Sequence, residues 1–143
     1  MRSVCGRTAL PLLCLMSLSG WSVSAQDKQY WTDPATRLAW ALADNSSGIS
    51  LSQAKRYCTE FAAGGFHDWK LPAIDELQTL FGGPANENGR HTKGPIKITG
   101  WEWSSTTGDQ EGEAWVLDFA DGGRASVAAG DSGLNRALCV RKQ

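Results

Sequence analysis

Beyond residue 25, apolar and polar positions along the chain follow two different periods in turn. Tyr30 and Trp31 lead into Asp33-Pro34, after which Leu38 and Trp40 alternate with smaller residues. Proline presets φ for a type I turn, and an Asp before it can bond ahead along the backbone. The pattern predicts a hairpin whose second strand is half buried. Residues 44–48, DNSSG, break the alternation and read as a loop. From Ser50 the period lengthens: Leu51, Ala54, Cys58 and Phe61 fall on one helical face, with Lys55, Arg56 and Glu60 elsewhere. Ser50 with Gln53 three residues on forms a capping box, and Gly64 or Gly65 is placed to end the helix in the left-handed conformation. A second helix follows, with Pro72 in its first turn, Asp75 and Glu76 favourable to its dipole, and Ile74, Leu77 and Phe81 as its stripe. Gly82, Gly83 and Pro84 stop it.

Residues 84–100, PANENGRHTKGPIKITG, show neither period and read as a long loop, a feature often functional in compact domains. Strand-like alternation then returns. WEWSS places Trp101 and Trp103 on one face and Glu102 on the other. In AWVLDF, Trp115, Leu117 and Phe119 share a face; ADGGR turns, ASVA returns, and RALCVR is a last strand.

The first 25 residues belong to none of this. Arg2 and Arg7 precede a short apolar run, and Val23 and Ala25 occupy the small-residue positions before a signal-peptidase cut. That three-part pattern predicts a cleaved secretory signal ending at Ala25, the alternative being a buried N-terminal helix. Its loss leaves 12 basic residues against 15 acidic, a net charge of −3, which disfavours a general nucleic-acid binder. No other apolar run is long enough to span a membrane. Cys5 and Cys14 leave with the signal, and Cys58 and Cys139 remain. An even pair in an exported chain reads as a disulfide, worth about 4 kcal/mol in the chain-entropy treatment; two separate buried thiols are the alternative.

Catalytic chemistry finds little to work with. A bridged cysteine is no nucleophile, and neither His67 nor His91 has an obvious partner. Asp109, Glu111, Glu113 and Asp118 lie close in sequence and carry oxygens that calcium favours, but without a recognised spacing. A solvated acidic loop accounts for them better, so no metal and no cofactor is expected, calcium having no motif to support it. GRHTKGPIK gathers Arg90, His91, Lys93 and Lys97 without an acid, a local attraction for sulfate or phosphate even on a net-negative protein. The competing reading is a flexible, soluble loop. Six tryptophans remain after Trp21 leaves, and Trp31, Trp40, Trp69, Trp101, Trp103 and Trp115 all sit in strand-like contexts that favour a framework role.

Two early helices, a β-rich second half and a bridge from the first helix to the last strand resemble the C-type-lectin-like fold. The ordered segments WTDPATRLAWALA, SLSQAKRYC, GGFHDWKLPAIDELQTLF, GWEWSST, AWVLDFADGG and RALCVR resemble the Lcl C-terminal domain family over almost all of residues 26–143. WKLPAIDEL is also similar to a segment of formylglycine-generating-enzyme-like proteins, whose activity needs a reactive cysteine pair near the C-terminus, where this chain has only Cys139. Relatives commonly carry Gly where this chain has Arg37, and the collagen-like stalk of the family's adhesin has no counterpart here. The resemblance implies extracytoplasmic binding, in the adhesin's case of sulfated polysaccharide.

The resulting expectation is a secreted or periplasmic α+β domain, two helices packed on small antiparallel sheets with one disulfide. It would act without catalysis, binding glycan through residues 84–100 and 106–113. Arg90, His91, Lys93, Lys97, Thr106, Asp109 and Glu111 are the candidate ligand contacts. An envelope protein–protein interaction domain is the alternative, and an enzyme of the formylglycine-generating-like fold a third.

Overall fold

A computed structural model describes residues 29–143; the expected signal, its cut after Ala25 and Trp21 lie outside the described residues. The domain is α+β. Strands β1 (Tyr30–Thr32) and β2 (Leu38–Ala41) form the expected hairpin, and β9 (Val140–Lys142) pairs with the other edge of β2. The Asp33 carboxylate accepts from the Ala35 amide at 2.9 Å, as the turn chemistry requires. Arg37 closes this turn at φ 66°, in the left-handed region that favours glycine. With a neighbour on each side, β2 is buried at all four positions rather than half buried.

Helix α1 (Leu51–Glu60) begins at the Ser50 capping box. Its end differs from expectation. Phe61 caps it in an extended conformation, and the positive φ of Gly64 and Gly65 serves a following 3-10 turn, Ala63–Gly65. Cys58, wholly buried, bridges to Cys139 across 81 residues, tying α1 to the approach to β9.

Helix α2 (Ile74–Leu80) starts two residues later than Pro72. The Ala73 amide donates to Glu76 at 2.9 Å, and the Ile74 amide donates to Thr106 Oγ1 at 3.0 Å. Its buried stripe is Ile74, Leu77 and Leu80; Phe81 already belongs to β3. The long segment is not structureless. β3 (Phe81–Ala85) and β4 (His91–Thr92) form a bulged hairpin, and Ile96 and Ile98 reach the core.

The second half folds into a four-stranded sheet in the order β7 (Arg124–Ala128), β6 (Glu113–Asp118), β5 (Trp101–Thr107), β8 (Asn135–Arg136). The expected last strand is split between β8 and β9, and β8 runs parallel to β5, so the sheets are not all antiparallel. A bulge after Trp103 shifts the β5–β6 register. It turns the Ser-Thr run onto structural acceptors and donors. Ser104 Oγ donates to the Trp115 carbonyl at 2.7 Å, and the Ser105 amide donates to the Pro72 carbonyl at 2.8 Å. Trp40, Trp103, Leu77, Leu80, Ile98, Leu117 and Phe119 fill one continuous core.

Candidate functional site

Residues 84–97 bend around a groove of about 500 Å³. Pro84, Ala85, Glu87, Lys93, Pro95 and Lys97 are among the residues that line it. The segment is held by its backbone. The His91 amide donates to the Phe119 carbonyl at 2.7 Å, Lys93 to Leu80 at 2.9 Å, and Lys97 to Leu42 at 2.9 Å. Pinning the main chain at alternate points leaves the Lys93 and Lys97 side chains in solvent. Gly94, at φ 71°, lies flat on the Trp31 indole, where a Cβ would come within 2.5 Å of the ring.

The four basic candidates do not line one groove together. Lys93 and Lys97 line the groove, but Arg90 and His91 do not. His91 Nδ1 meets the Gly83 carbonyl at 3.0 Å, and its ring packs edge-on to Phe81. Arg90 donates from Nη1 to the Asn88 carbonyl at 2.8 Å while its Nε is buried without an acceptor. Lys97 pairs with Glu87 at 3.1 Å within the groove, both side chains more than half exposed, so the pair is open to competition by a ligand anion.

The second candidate loop is also divided. Thr106, expected at a binding surface, spends its hydroxyl on the N-terminus of α2. Asp109 and Glu111 are exposed, and the Asp109 amide donates to Ser126 Oγ, which in turn donates to Glu113 at 2.6 Å. Among the described residues, no three His, Cys, Asp or Glu side chains converge as metal ligands.

The tryptophans separate by burial. Trp40, Trp69 and Trp103 are framework, Trp69 Nε1 donating to the Ala63 carbonyl and Trp103 Nε1 to the Ile49 carbonyl at 2.6 Å. Trp115 and Trp101, expected as framework too, are half buried and pack against the core from its edge. Arg124 stacks over Trp115 at 5.6 Å. Trp101 lines a second pocket of about 230 Å³ with Val127, Asp131 and Leu134, the last 66% exposed. At the far edge of the domain, Arg141 lies 3.7 Å over the Phe66 ring and pairs with Asp68 at 2.7 Å; that hydrogen bond holds the Asp68 carboxyl below its usual range.

A family model matches residues 29–141, as the Lcl C-terminal domain. The chain belongs to the Lcl C-terminal domain family. No curated protein matches it. Membership in the Lcl C-terminal domain family covers β1 through all of β9 but its last residue, so the groove and the buried framework lie within one family unit. No helix among the described residues is long and apolar enough to cross a membrane.

Sequence reasoning missed one cluster of polar side chains. Glu102, placed by alternation on the face opposite Trp101 and Trp103 and given no role there, is wholly buried, and neither carboxyl oxygen has a hydrogen-bond partner. Burial first, and the neighbouring Asp44 carboxyl second, push Glu102 well above the usual glutamate range. The only hint in the sequence was a Glu flanked by tryptophans in a strand packed on both faces.

Proposed function

We propose that this member of the Lcl C-terminal domain family is an exported, non-enzymatic binding module of C-type-lectin-like fold. Its 84–97 groove takes an anionic glycan of the sulfated-polysaccharide class. One observation carries the reading: Lys93 and Lys97, both exposed, line one groove whose backbone is pinned to the core. Sulfate groups of a chain laid in the groove would meet both ammonium groups and displace Glu87 from Lys97. Such contacts are strengthened by a preformed site and weakened by salt. The Cys58–Cys139 bridge supports a binding rather than a thiol-enzyme role, because it ties up both cysteines of residues 26–143.

A protein–protein role in the envelope is the second reading. It is favoured by the exposed Leu134 beside the Trp101 pocket. Retention of residues 26–143 on immobilised heparin separates the two. The glycan reading expects retention at low salt that is lost at high salt, and loss of most affinity in Lys93→Ala/Lys97→Ala without a change in thermal stability. No retention at low salt, together with one stoichiometric protein captured through the Leu134 face, would establish the second reading instead.

A further inference from the structure

The four-stranded sheet carries a concavity that shares no lining residue with the 84–97 groove. Its floor follows from strand register. Trp103 pairs with Val116 and Val116 with Ala125, so the three share a face, and Trp101 and Val127, two residues along their strands, join it. Trp101, Val116, Ala125 and Val127 line the pocket, and the chain after β7 adds the exposed Asp131 and Leu134. The Trp101 amide donates to the Leu134 carbonyl at 3.0 Å, which fixes the backbone of Leu134 while its side chain stays 66% exposed. The volume is about 230 Å³, below the roughly 300–1,000 Å³ of pockets that enclose drug-sized molecules, so the occupant is a group of a few heavy atoms.

The walls decide the chemistry. Main-chain carbonyls around the pocket are already engaged. That of Leu134 accepts from Trp101, that of Asn135 from the Ile49 amide at 3.0 Å, that of Asp131 from Asn135 Nδ2 at 2.9 Å, and that of Gly133 from Arg136 Nη1 at 3.4 Å. A sugar ring or a peptide backbone would leave water for such a wall without recovering its hydrogen bonds. What remains is aliphatic surface, one indole and one carboxylate. Asp131 Oδ1 accepts from the Gly133 amide at 3.3 Å, and none of the ion pairs among the described residues involves Asp131. Asp118, the cross-strand partner of Trp101, places a second acid on the same face. Arg136 reaches the Gly133 carbonyl but does not line the pocket, and its Nε donates to Thr99.

We propose that this pocket binds a small free alkylammonium ion, its hydrocarbon body on Val116, Val127 and Leu134 and its charged head between the Trp101 indole and the Asp131 carboxylate. An indole attracts a cation more strongly than any other side-chain ring, and a carboxylate beside it adds a charge-assisted hydrogen bond. A neutral molecule of the same shape gains the body contacts and loses both head contacts. An anion of that shape is repelled by Asp131 and Asp118. The pocket therefore selects the charge opposite to the one that suits Lys93 and Lys97. It goes beyond the glycan reading and does not rest on it, since the two sites share no lining residue.

The test titrates n-butylammonium into isotopically labelled protein at constant ionic strength. The Trp101 indole N–H and the Val127 and Leu134 methyl groups are read by NMR, with n-butanol and butanoate as the neutral and anionic counterparts. Butylammonium should give saturable shifts at these groups with roughly millimolar affinity, as expected for so small a ligand. Butanol and butanoate should bind about fivefold more weakly or not at all, lacking both the cation–π contact and the ion pair. Asp131→Asn keeps the Oδ1 acceptor that Gly133 uses and removes the charge, and should weaken butylammonium by about threefold. Trp101→Leu keeps an apolar wall and should weaken it by a similar factor; should that variant fail to fold, the exposed Asp131 position decides alone. Butanol binding as tightly as butylammonium, an Asp131→Asn variant that binds like the wild type, or shifts centred elsewhere would each overturn the site. Nα-acetyl-lysine-N-methylamide binding about tenfold tighter than butylammonium would give the pocket to a side chain of a partner protein and overturn the free ion as its ligand.

Discussion

Around the Cys58–Cys139 bridge, Trp40, Ala54 and Leu138 are wholly buried, whereas between residues 84 and 97 only Thr92 and Ile96 are. Both regions are ordered, by different means. In the first, side chains fill space and the bridge removes freedom from the unfolded chain. In the second, main-chain hydrogen bonds from His91, Lys93 and Lys97 fix the path, and glycines allow its turns. A segment ordered through its backbone keeps its side chains available for a ligand. That is the division of labour a binding module needs, and the two regions should respond differently to substitution.

The largest difference is expected within one strand. Trp103→Ala removes a wholly buried indole and orphans the Ile49 carbonyl, and should cost about 4–5 kcal/mol in denaturant unfolding. Trp101→Ala, two residues away and half buried, should cost about 1–2 kcal/mol. Equal losses would mean that the pair is one framework unit after all. Replacing Cys58 and Cys139 with Ser should cost about 4 kcal/mol by the same measurement, for a closed loop of 81 residues. The groove should persist if the variant is kept folded at low temperature.

Glycine substitutions probe the other region. Gly94→Ala must strain a positive φ and push the Trp31 ring, a combined cost of about 2–3 kcal/mol. Gly89→Ala has the same backbone strain with open space around it and should cost about 1 kcal/mol. Heparin retention should drop for the first and hold for the second. Loss in both would show that the groove depends on general loop stability and not on the Trp31 contact.

Much of the framework was legible from residue order. The Ser50–Gln53 box, the Asp33-Pro34 turn and the buried period of α1 are local, and local chemistry decided them. The Cys58–Cys139 pairing was legible because residues 26–143 hold just these two cysteines. The failures lie where distant segments complete each other. Thr106 looks like a surface threonine until α2 is seen to need a cap, and no spacing along the chain reveals that. Ile96 and Ile98 in a segment of Pro, Gly and Lys lacked a period because the path of the chain there is set by partners more than 50 residues away, Leu42 and Asp44 on Lys97 and Asp44 on Thr99. Grouping Arg90 and His91 with Lys93 and Lys97 followed from proximity in sequence. The hairpin of β3 and β4 engages Arg90 and His91 with the Asn88 and Gly83 carbonyls and leaves the last two on the groove. The burial of Glu102 was not legible because alternation assigns a face but not its cover, and at Glu102–Ser104 both faces of β5 are buried.

The central claim is that glycan recognition belongs to the backbone-pinned groove and not to the helices or the Trp101 pocket. Titrating a heparin-derived hexasaccharide into isotopically labelled protein, with backbone amide shifts recorded at low salt, tests it most directly. The account predicts shifts concentrated at residues 85–87 and 92–97, and their disappearance in Lys93→Ala/Lys97→Ala. Shifts centred on Trp101, Val127 and Leu134, or on α1 and α2, would contradict it.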